Sequence, residues 1–387
     1  MRAFFCVMMS VLAAVAIAQP EPCSVKPQAT TFAIRMNPDL VLMASLGGAA
    51  PHPLQIDTGS TGIVIARQRI GPYTPVTDMT LPANIIYNSS DRVMVGQWVY
   101  TSVELSDGKQ TIITIPKLAV FAVDQICATR GRSMAPPFDC SIPTTPDELL
   151  ELGMMGVGFD RGSTMGPPQV NPFLRLPQMD AGTMQRGYII TARDGVTLGM
   201  TQTAIADFRF LPLHPERTRA GEWQQARGCV ALTGGGITNP GLPVCGNVLM
   251  DTGVDRMFVT YAKGFPAFDP PFPENAGALW RCCPCISTKR PPEPTCFISG
   301  NASTAGVTVT WPSDTNPVFT YAASAPAQFF ADQPTPSAVF ATSVATLQEQ
   351  GANVFVNTSR QLLYTADYLY DATCGRIGFR SHGRSNP

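Results

Sequence analysis

Short runs of Val, Ile, Thr, Tyr and Phe recur along this chain between clusters of Gly, Pro, Asn and Asp, a pattern that predicts β-strands joined by turns. Helical periodicity is rare, and its best candidates are Pro146–Leu152 and Ala341–Gln350. The pattern therefore predicts an all-β protein. Its strands are predicted at Thr31–Arg35, Val41–Ala44, Gly62–Ala66, Trp98–Leu105, Thr111–Ile115, Tyr188–Thr191, Val307–Trp311 and Tyr364–Tyr370.

Proline and cysteine are concentrated in two stretches between the predicted strands, Asp124–Asp147 and Pro266–Pro294. Proline cannot donate to a strand ladder, and cysteines close in sequence can tie a loop to itself. We therefore expect two long, disulfide-tied loops at these positions.

Length and composition fit a folded protein of more than one domain. The chain has 387 residues, enough for two or three domains of roughly 150 residues each. Hydrophobic residues make up 44% of it, which supplies enough apolar surface for an ordered core. Lys and Arg number 27 and Asp and Glu 28, so no basic surface is predicted that would attract nucleic acid.

The beginning of the chain resembles a secretory signal. Arg2 precedes the apolar run Ala3–Ile17, and Ala16 and Ala18 are small residues at the positions that a signal peptidase reads. We expect residues 1–18 to be removed and the mature chain to be secreted, to the extracellular space or a periplasm. The alternative is an uncleaved anchor, which is less favoured because the run is shorter than the about 20 residues that a bilayer span needs. No later segment is predicted to span a membrane.

The cysteine count agrees with an oxidising compartment. Eleven Cys minus Cys6 of the signal leaves ten, an even number. Two local disulfides are predicted, one between Cys127 and Cys140 and one between Cys229 and Cys245, because each pair brackets a short loop.

The remaining cysteines allow more than one interpretation. Cys23 and Cys374 lie near the two ends of the chain and could join them. Four more lie close together and could form a zinc site, but their irregular spacing and the oxidising compartment favour disulfides. They are Cys282, Cys283, Cys285 and Cys296.

Most known catalytic and cofactor-binding motifs are absent from the sequence. The three histidines, His52, His214 and His382, are scattered and form no zinc-binding motif. A serine or cysteine nucleophile with a histidine base is therefore disfavoured, and no dinucleotide or phosphate-binding fingerprint is complete. We expect neither a metal nor a cofactor.

A short acidic motif does occur twice. Leu54–Ser60 and Val248–Val254 each place Asp-Thr-Gly after an apolar run, and the two aspartates, at 57 and 251, are 194 positions apart. Two half-chain units of similar layout would explain this spacing. The alternative is a pair of unrelated turns at strand ends, since Asp and Gly are common turn residues.

The two Asp-Thr-Gly motifs resemble those of the pepsin-like aspartic proteases, and the resemblance to this family extends over roughly Thr31 to Arg380. Asp57–Ser60 matches the first active-site motif in full, and Ile85–Asn88 is similar to the flap. Further similar segments are Met154–Phe159, Tyr188–Leu213, Glu222–Gln224, Leu369–Asp371 and Ile377–Phe379. The resemblance implies a bilobal all-β fold with two pseudo-symmetric lobes, residues 19–205 and 206–387, and an active-site cleft between them.

The resemblance also implies a chemistry. Asp57 and Asp251 would share one proton and activate a water to hydrolyse a peptide bond, with an acidic pH optimum. Tyr87 would be the flap tyrosine that contacts substrate. The loops around the two aspartates would be supported by Thr58, Gly59, Ser60, Thr252 and Gly253. The implied protein is a monomeric secreted endopeptidase that acts on extended peptides or proteins without a cofactor.

Several departures from the family pattern point to an alternative. Val254 stands where a hydroxyl residue would hold the outer oxygen of Asp251, and Val64 replaces a tryptophan that supports the flap tyrosine. Asn88–Ser90 replaces a glycine-rich flap tip, and Val356–Ser359 contains no glycine where the second lobe should have one. The alternative is a pepsin-like protein with weak or no catalysis that serves as a binding or inhibitor module.

Overall fold

The structure is a computed structural model of the chain. It describes residues 23, 31–35, 40–77, 81–87, 90, 92–129, 136–141, 143–162, 165–192, 194–233, 244–254, 258–261, 280–283, 295–298, 306–312, 316–324, 340–343 and 354–382. Within these ranges no helix is both long and apolar enough to cross a membrane. The proposed signal sequence lies outside the described residues.

Strands dominate the described chain. They are β1 (Phe32–Ile34), β2 (Val41–Leu46), β3 (His52–Asp57), β4 (Thr61–Ala66), β5 (Thr74–Pro75), β6 (Asn84–Tyr87), β7 (Arg92–Ser106), β8 (Thr111–Ala128), β9 (Gly153–Val157), β10 (Gly187–Thr191), β11 (Gly195–Leu198), β12 (Arg209–Pro212), β13 (Arg227–Thr233), β14 (Val244–Leu249), β15 (Phe258–Tyr261), β16 (Trp280–Cys283), β17 (Thr295–Ile298), β18 (Gly306–Trp311), β19 (Phe319–Ser324), β20 (Phe340–Ser343), β21 (Val354–Asn357), β22 (Ala366–Asp371) and β23 (Arg376–Ser381). The two α-helices are a single turn or little more, α1 (Pro146–Leu150) and α2 (Pro177–Asp180).

An eight-stranded sheet contains the first acidic motif. Its order is β2-β3-β9-β4-β8-β7-β5, with β6 paired to β7. Strand β9 lies between β3 and β4, parallel to the first and antiparallel to the second. All six residues of β4 are buried, as expected for a strand covered on both faces. The turn between β3 and β4, which carries Asp57, is thereby anchored on both sides.

A nine-stranded sheet contains the second motif in the same arrangement. Its order is β16-β17-β20-β15-β21-β14-β13-β18-β19. Strand β21 lies between β14 and β15, parallel to the first and antiparallel to the second, as β9 does in the other sheet. The internal repeat that the sequence predicts is therefore present in the topology.

A six-stranded sheet takes strands from both halves of the chain, in the order β1-β11-β10-β22-β23-β12. At its centre β10 pairs with β22, and both strands are entirely buried. The ring of Tyr188 on β10 meets that of Tyr370 on β22 edge to face, with centroids 5.7 Å apart. The Tyr188 hydroxyl donates a 2.7 Å hydrogen bond to the carbonyl of Val157 at the end of β9. This sheet thus packs directly behind the first acidic loop.

Three disulfides join cysteines in the described residues. Cys127–Cys140, Cys229–Cys245 and Cys23–Cys374 have Cα–Cα distances of 4.5, 3.9 and 5.7 Å. The last of these joins a residue near the start of the chain to the turn after β22. The side chains of the Cys282–Cys296 cluster lie outside the described residues.

Three predictions from the sequence pattern are wrong, one of them the expected loop Asp124–Asp147, whose first five residues continue β8 to Ala128. The expected helix Ala341–Gln350 begins instead as β20, while residues 344–350 are outside the described part. Strand β20 pairs with both β15 and β17, so tertiary pairing overrides a weak local helix preference. The expected loop Pro266–Pro294 contains β16, which pairs with β17. The other predicted helix, Pro146–Leu152, is present as α1, capped by the Thr145 side chain.

Candidate active site

The first acidic loop holds Asp57 at the end of β3. The backbone N–H of Gly59 donates a 2.7 Å hydrogen bond to Asp57 Oδ1, and the Ser60 hydroxyl donates to Oδ2. Both carboxyl oxygens therefore have a partner from the loop itself. The aspartate is buried, with 4% of its surface exposed.

The second acidic loop holds Asp251 two residues after β14. The N–H of Gly253 donates a 2.9 Å hydrogen bond to Asp251 Oδ1, matching the contact in the first loop. Val254 follows, and its side chain offers no hydroxyl for the other oxygen.

Reciprocal hydrogen bonds clamp the two loops together. The N–H of Thr58 donates to Thr252 Oγ1, and the N–H of Thr252 donates to Thr58 Oγ1, both over 3.0 Å. Each hydroxyl in turn donates to a carbonyl of the opposite loop, Thr58 to Met250 at 2.5 Å and Thr252 to Ile56 at 2.7 Å. These four buried bonds fix the separation of the loops, because a shift of either one breaks all of them.

The two glycines of the motifs let the carboxyl groups approach the opposite loop. A Cβ atom on Gly59 would lie 2.5 Å from Asp251 Oδ1, and one on Gly253 would lie 2.6 Å from Asp57 Cγ. Such contacts are too short for any side chain, so glycine is required at both positions. The carboxyl group of each aspartate therefore lies directly against the glycine of the opposite loop.

Burial and the neighbouring acid act together on Asp57. Desolvation raises the pKa of Asp57 well above its ordinary value, and the charge of Asp251 raises it further. The hydrogen bonds from Ser60 and Gly59 act in the opposite direction. Two carboxyl groups so close together cannot both ionise easily, so the pair retains one proton into less acidic conditions than a free aspartate.

Asn357 supplies the contact that Val254 lacks. Its amide Nδ2 donates a 2.7 Å hydrogen bond to Asp251 Oδ2. The orientation of the amide is set by a second bond, in which Asn357 Oδ1 accepts from the N–H of Ser359 at 2.9 Å. The hydroxyl that position 254 would supply is missing, as the sequence predicts, but the outer oxygen of Asp251 still has a hydrogen-bond donor. The partner comes from the neighbouring strand β21 rather than from the loop.

A cavity of about 420 Å³ opens above the two carboxyl groups. Tyr87 at the end of β6 lines it, and the Tyr87 hydroxyl is buried with no hydrogen-bond partner among the described residues. Burial raises the pKa of Tyr87, and the charge of Asp57 raises it further. The flap tip at Asn88 and Ser89 lies outside the described residues.

The structure brings together all the residues that the resemblance assigns to the site. They are Asp57, Thr58, Gly59, Ser60, Tyr87, Asp251, Thr252 and Gly253. Sequence reasoning missed Asn357 and Arg161, which also line the cavity. The only available signal for Asn357 was the unusual Asn-Thr-Ser in place of an apolar pair and glycine.

Comparison with known proteins supports the architecture. No protein-family model and no curated protein matches the chain. Among solved structures, it matches an aspartic proteinase from Irpex lacteus with a TM-score of 0.50, over 92% of this chain and 98% of that one. The chain has the bilobal, pepsin-like fold. The two sequences are only 15% identical, so the likeness establishes the all-β architecture and leaves the activity to be argued from the site.

Proposed function

We propose that this chain is a secreted aspartic endopeptidase that hydrolyses peptide bonds at acidic pH with Asp57 and Asp251. The observation that carries the proposal is the reciprocal threonine clamp, which holds two buried carboxyl groups face to face beneath a cavity. A clamp of four hydrogen bonds between residues 192 to 196 positions apart in sequence is far more than two unrelated turns would need.

The hydrogen-bond donors around the dyad suggest different roles for its two acids. The Asn357 Nδ2 group and the Gly253 N–H can only donate. Both oxygens of Asp251 therefore accept a hydrogen bond, as the oxygens of an ionised carboxylate do. The Ser60 hydroxyl beside Asp57 can donate or accept and so tolerates either protonation state. We assign the shared proton to Asp57 and the base to Asp251.

The reaction then follows from general acid–base catalysis. Asp251 removes a proton from a water molecule while Asp57 donates its proton to the carbonyl oxygen of the peptide bond, and a tetrahedral diol forms. Asp251 then passes its proton to the amide nitrogen, the C–N bond breaks, and a diol hydroxyl returns a proton to Asp57. The dyad ends in its starting state, so no cofactor is needed.

Substrate contacts in the proposal come from the cavity walls. The hydroxyl of Tyr87, which has no hydrogen-bond partner among the described residues, is placed to bond a peptide group or a water above the dyad. An extended peptide fits a groove between two β lobes, because its backbone can pair with strand edges. We propose lobes at residues 19–205 and 206–387, with the six-stranded sheet joining them, and a monomeric mature protein. Three disulfides are compatible with a secreted protein.

A pepsin-like binding or inhibitor module is the second candidate. Val254 and the substitution of Val64 for a flap-supporting tryptophan favour it. Asn357 weakens this alternative, because it gives Asp251 the side-chain hydrogen-bond donor that Val254 cannot supply.

Digestion of a fluorescent peptide library at acidic and neutral pH separates the two candidates. The enzyme should cleave at acidic pH, and both pepstatin and the substitution Asp57→Asn should stop it. Absence of cleavage by a well-folded protein at every pH would favour the binding module.

A further inference from the structure

Two arginines, Arg161 and Arg92, are among the residues that line the cavity. Besides the two aspartates, the cavity is lined by residues such as Ile86, Met94, Met165, Leu249 and Phe355. A charge in such surroundings interacts more strongly with an opposite charge than it would in water. Since Arg92 is already paired with Glu148, Arg161 is the arginine in this lining that would favour a negatively charged group of a ligand.

The side chain of Arg161 is held in place by a hydrogen bond at its Nε atom. Arg161 lies in the turn after β9 and directly follows Asp160, whose φ of 55° lies in the left-handed region. Arg161 Nε donates a 2.8 Å hydrogen bond to the carbonyl of Phe159. The ring of Phe159 is in turn stacked on Tyr370, with centroids 4.3 Å apart. The arginine is thus fixed by the backbone before any ligand binds.

The outer nitrogens of Arg161 have no hydrogen-bond or ion-pair partner among the described residues. Its neighbour Asp160 cannot serve, because that carboxylate accepts from Arg219 and from the N–H of Gln225, both at 2.7 Å. The acids that act on Arg161 electrostatically are Asp251, Asp160, Asp57 and Glu222, and none forms an ion pair with it in the described part. Two donor groups are therefore left facing the cleft.

We infer that Arg161 is a specificity-determining residue that binds an acidic side chain, Asp or Glu, of a peptide held in the cleft. The inference rests on the proposed function for its substrate class, but binding alone can test it. An arginine can make two parallel hydrogen bonds to one carboxylate, and it stays cationic over the whole pH range of the proposed activity. The neutral amide of Gln or Asn has only one acceptor oxygen to offer.

Selection from a peptide library tests the inference without requiring catalysis. Immobilised Asp57→Asn protein is incubated with octapeptides in which one position at a time is Glu or Gln, and the retained peptides are counted by mass spectrometry. At pH 6 we expect Glu to be enriched over Gln by about tenfold or more at one position, as a charge-assisted bond implies. At pH 3, where Glu is protonated, the ratio should fall towards one.

Two variants make the result specific to Arg161. Arg161→Gln should abolish the enrichment, and Arg161→Lys should retain part of it. Arg92→Gln is the matched control, because Arg92 lines the same cavity but is already paired with Glu148 at 3.3 Å, so the Glu-to-Gln ratio should not change.

The experiment distinguishes failure of the role assigned to Arg161 from failure of the proposed protease function. A ratio near one at every position, or an enrichment that survives Arg161→Gln, would overturn the inference. If the wild-type protein cleaves peptides without any Glu preference, the proposed protease stands and the role of Arg161 fails. If it binds Glu peptides selectively but cleaves none, the role of Arg161 stands and the protease fails.

Discussion

The two acidic loops hold their aspartates with the same backbone contact but with different side chains. In the first loop, Ser60 supplies a hydroxyl from within the loop. In the second loop, the corresponding residue is Val254, and Asn357 supplies an amide from the adjacent strand. The requirement that each carboxyl group has a side-chain donor is thus met twice, by different means.

The strand register explains how this exchange is possible. Gln55, two residues before Asp57, lies opposite Met154 on β9. Leu249, two residues before Asp251, lies opposite Asn357 on β21. Met154 and Asn357 are therefore equivalent positions in the two halves, and both line the cavity. A polar residue at this position can reach the carboxyl group, as Asn357 does. In the first half Ser60 already supplies the donor to Asp57, so the apolar Met154 is sufficient there.

The largest expected effect comes from removing either acid. Asp57→Asn or Asp251→Asn should each reduce kcat by about 10³-fold or more, because general acid and general base catalysis each contribute about 10² to 10⁴. Cleavage of a fluorogenic peptide measures this. An Asp251→Asn protein that keeps most of its activity would contradict the pairing of the two loops.

The next largest effect tests Asn357 itself. Asn357→Leu should lower kcat by about 10- to 100-fold, the usual loss for a partner of a catalytic group.

Ser60→Ala is the matched variant in the other loop. The Ser60 hydrogen bond lowers the pKa of Asp57, so its loss should move the alkaline limb of the pH–rate profile to higher pH. The same shift in Asn357→Leu would show that the two acids do not have the separate roles that we assign.

The clamp is expected to matter for stability. Thr252→Val keeps the shape of the side chain but removes the acceptor for Thr58 N–H and the donor to the Ile56 carbonyl. Leaving these buried groups unpaired should lower the free energy of unfolding by about 1 to 3 kcal/mol in urea denaturation. Thr218→Val, at an exposed threonine bonded to Glu216, is the control and should change it by less than about 0.5 kcal/mol. Equal effects would argue against a clamp.

The smallest expected effect is on the pH dependence of the free energy of unfolding. Because burial and Asp251 raise the pKa of Asp57 above its unfolded value of about 3.9, Asp57 stabilises the fold most when it is protonated. That contribution is complete below the unfolded value and is lost as the pH rises through the folded pKa. Urea denaturation from pH 3.5 to 7 should therefore show a steeper loss of stability in the wild type than in Asp57→Asn. Parallel curves would mean that Asp57 is not perturbed.

The sequence alone predicted the strands and the paired acidic motifs well, because both depend on local patterns. Alternation and turn residues place β4 and β10 close to where the structure has them. The repeated Asp-Thr-Gly indicated two loops that meet, and the structure brings Thr58 and Thr252 together.

The sequence could not reveal contacts that depend on strand register or on a turn. Asn357 is 106 positions from Asp251, and only the pairing of β14 with β21 places its amide beside the carboxyl group. The role of Arg161 depends on the left-handed turn at Asp160, which no motif predicts. The strand β20 was mistaken for a helix because its neighbours in the sheet are distant in sequence.

The pH–rate profile of peptide cleavage by the wild-type protein, Asp57→Asn and Asp251→Asn tests the central claim most directly. We predict a bell-shaped profile with its maximum at acidic pH in the wild type, and no measurable peak in either variant. A maximum above neutrality, or a peak that survives either substitution, would contradict the proposal that these two acids form one catalytic pair.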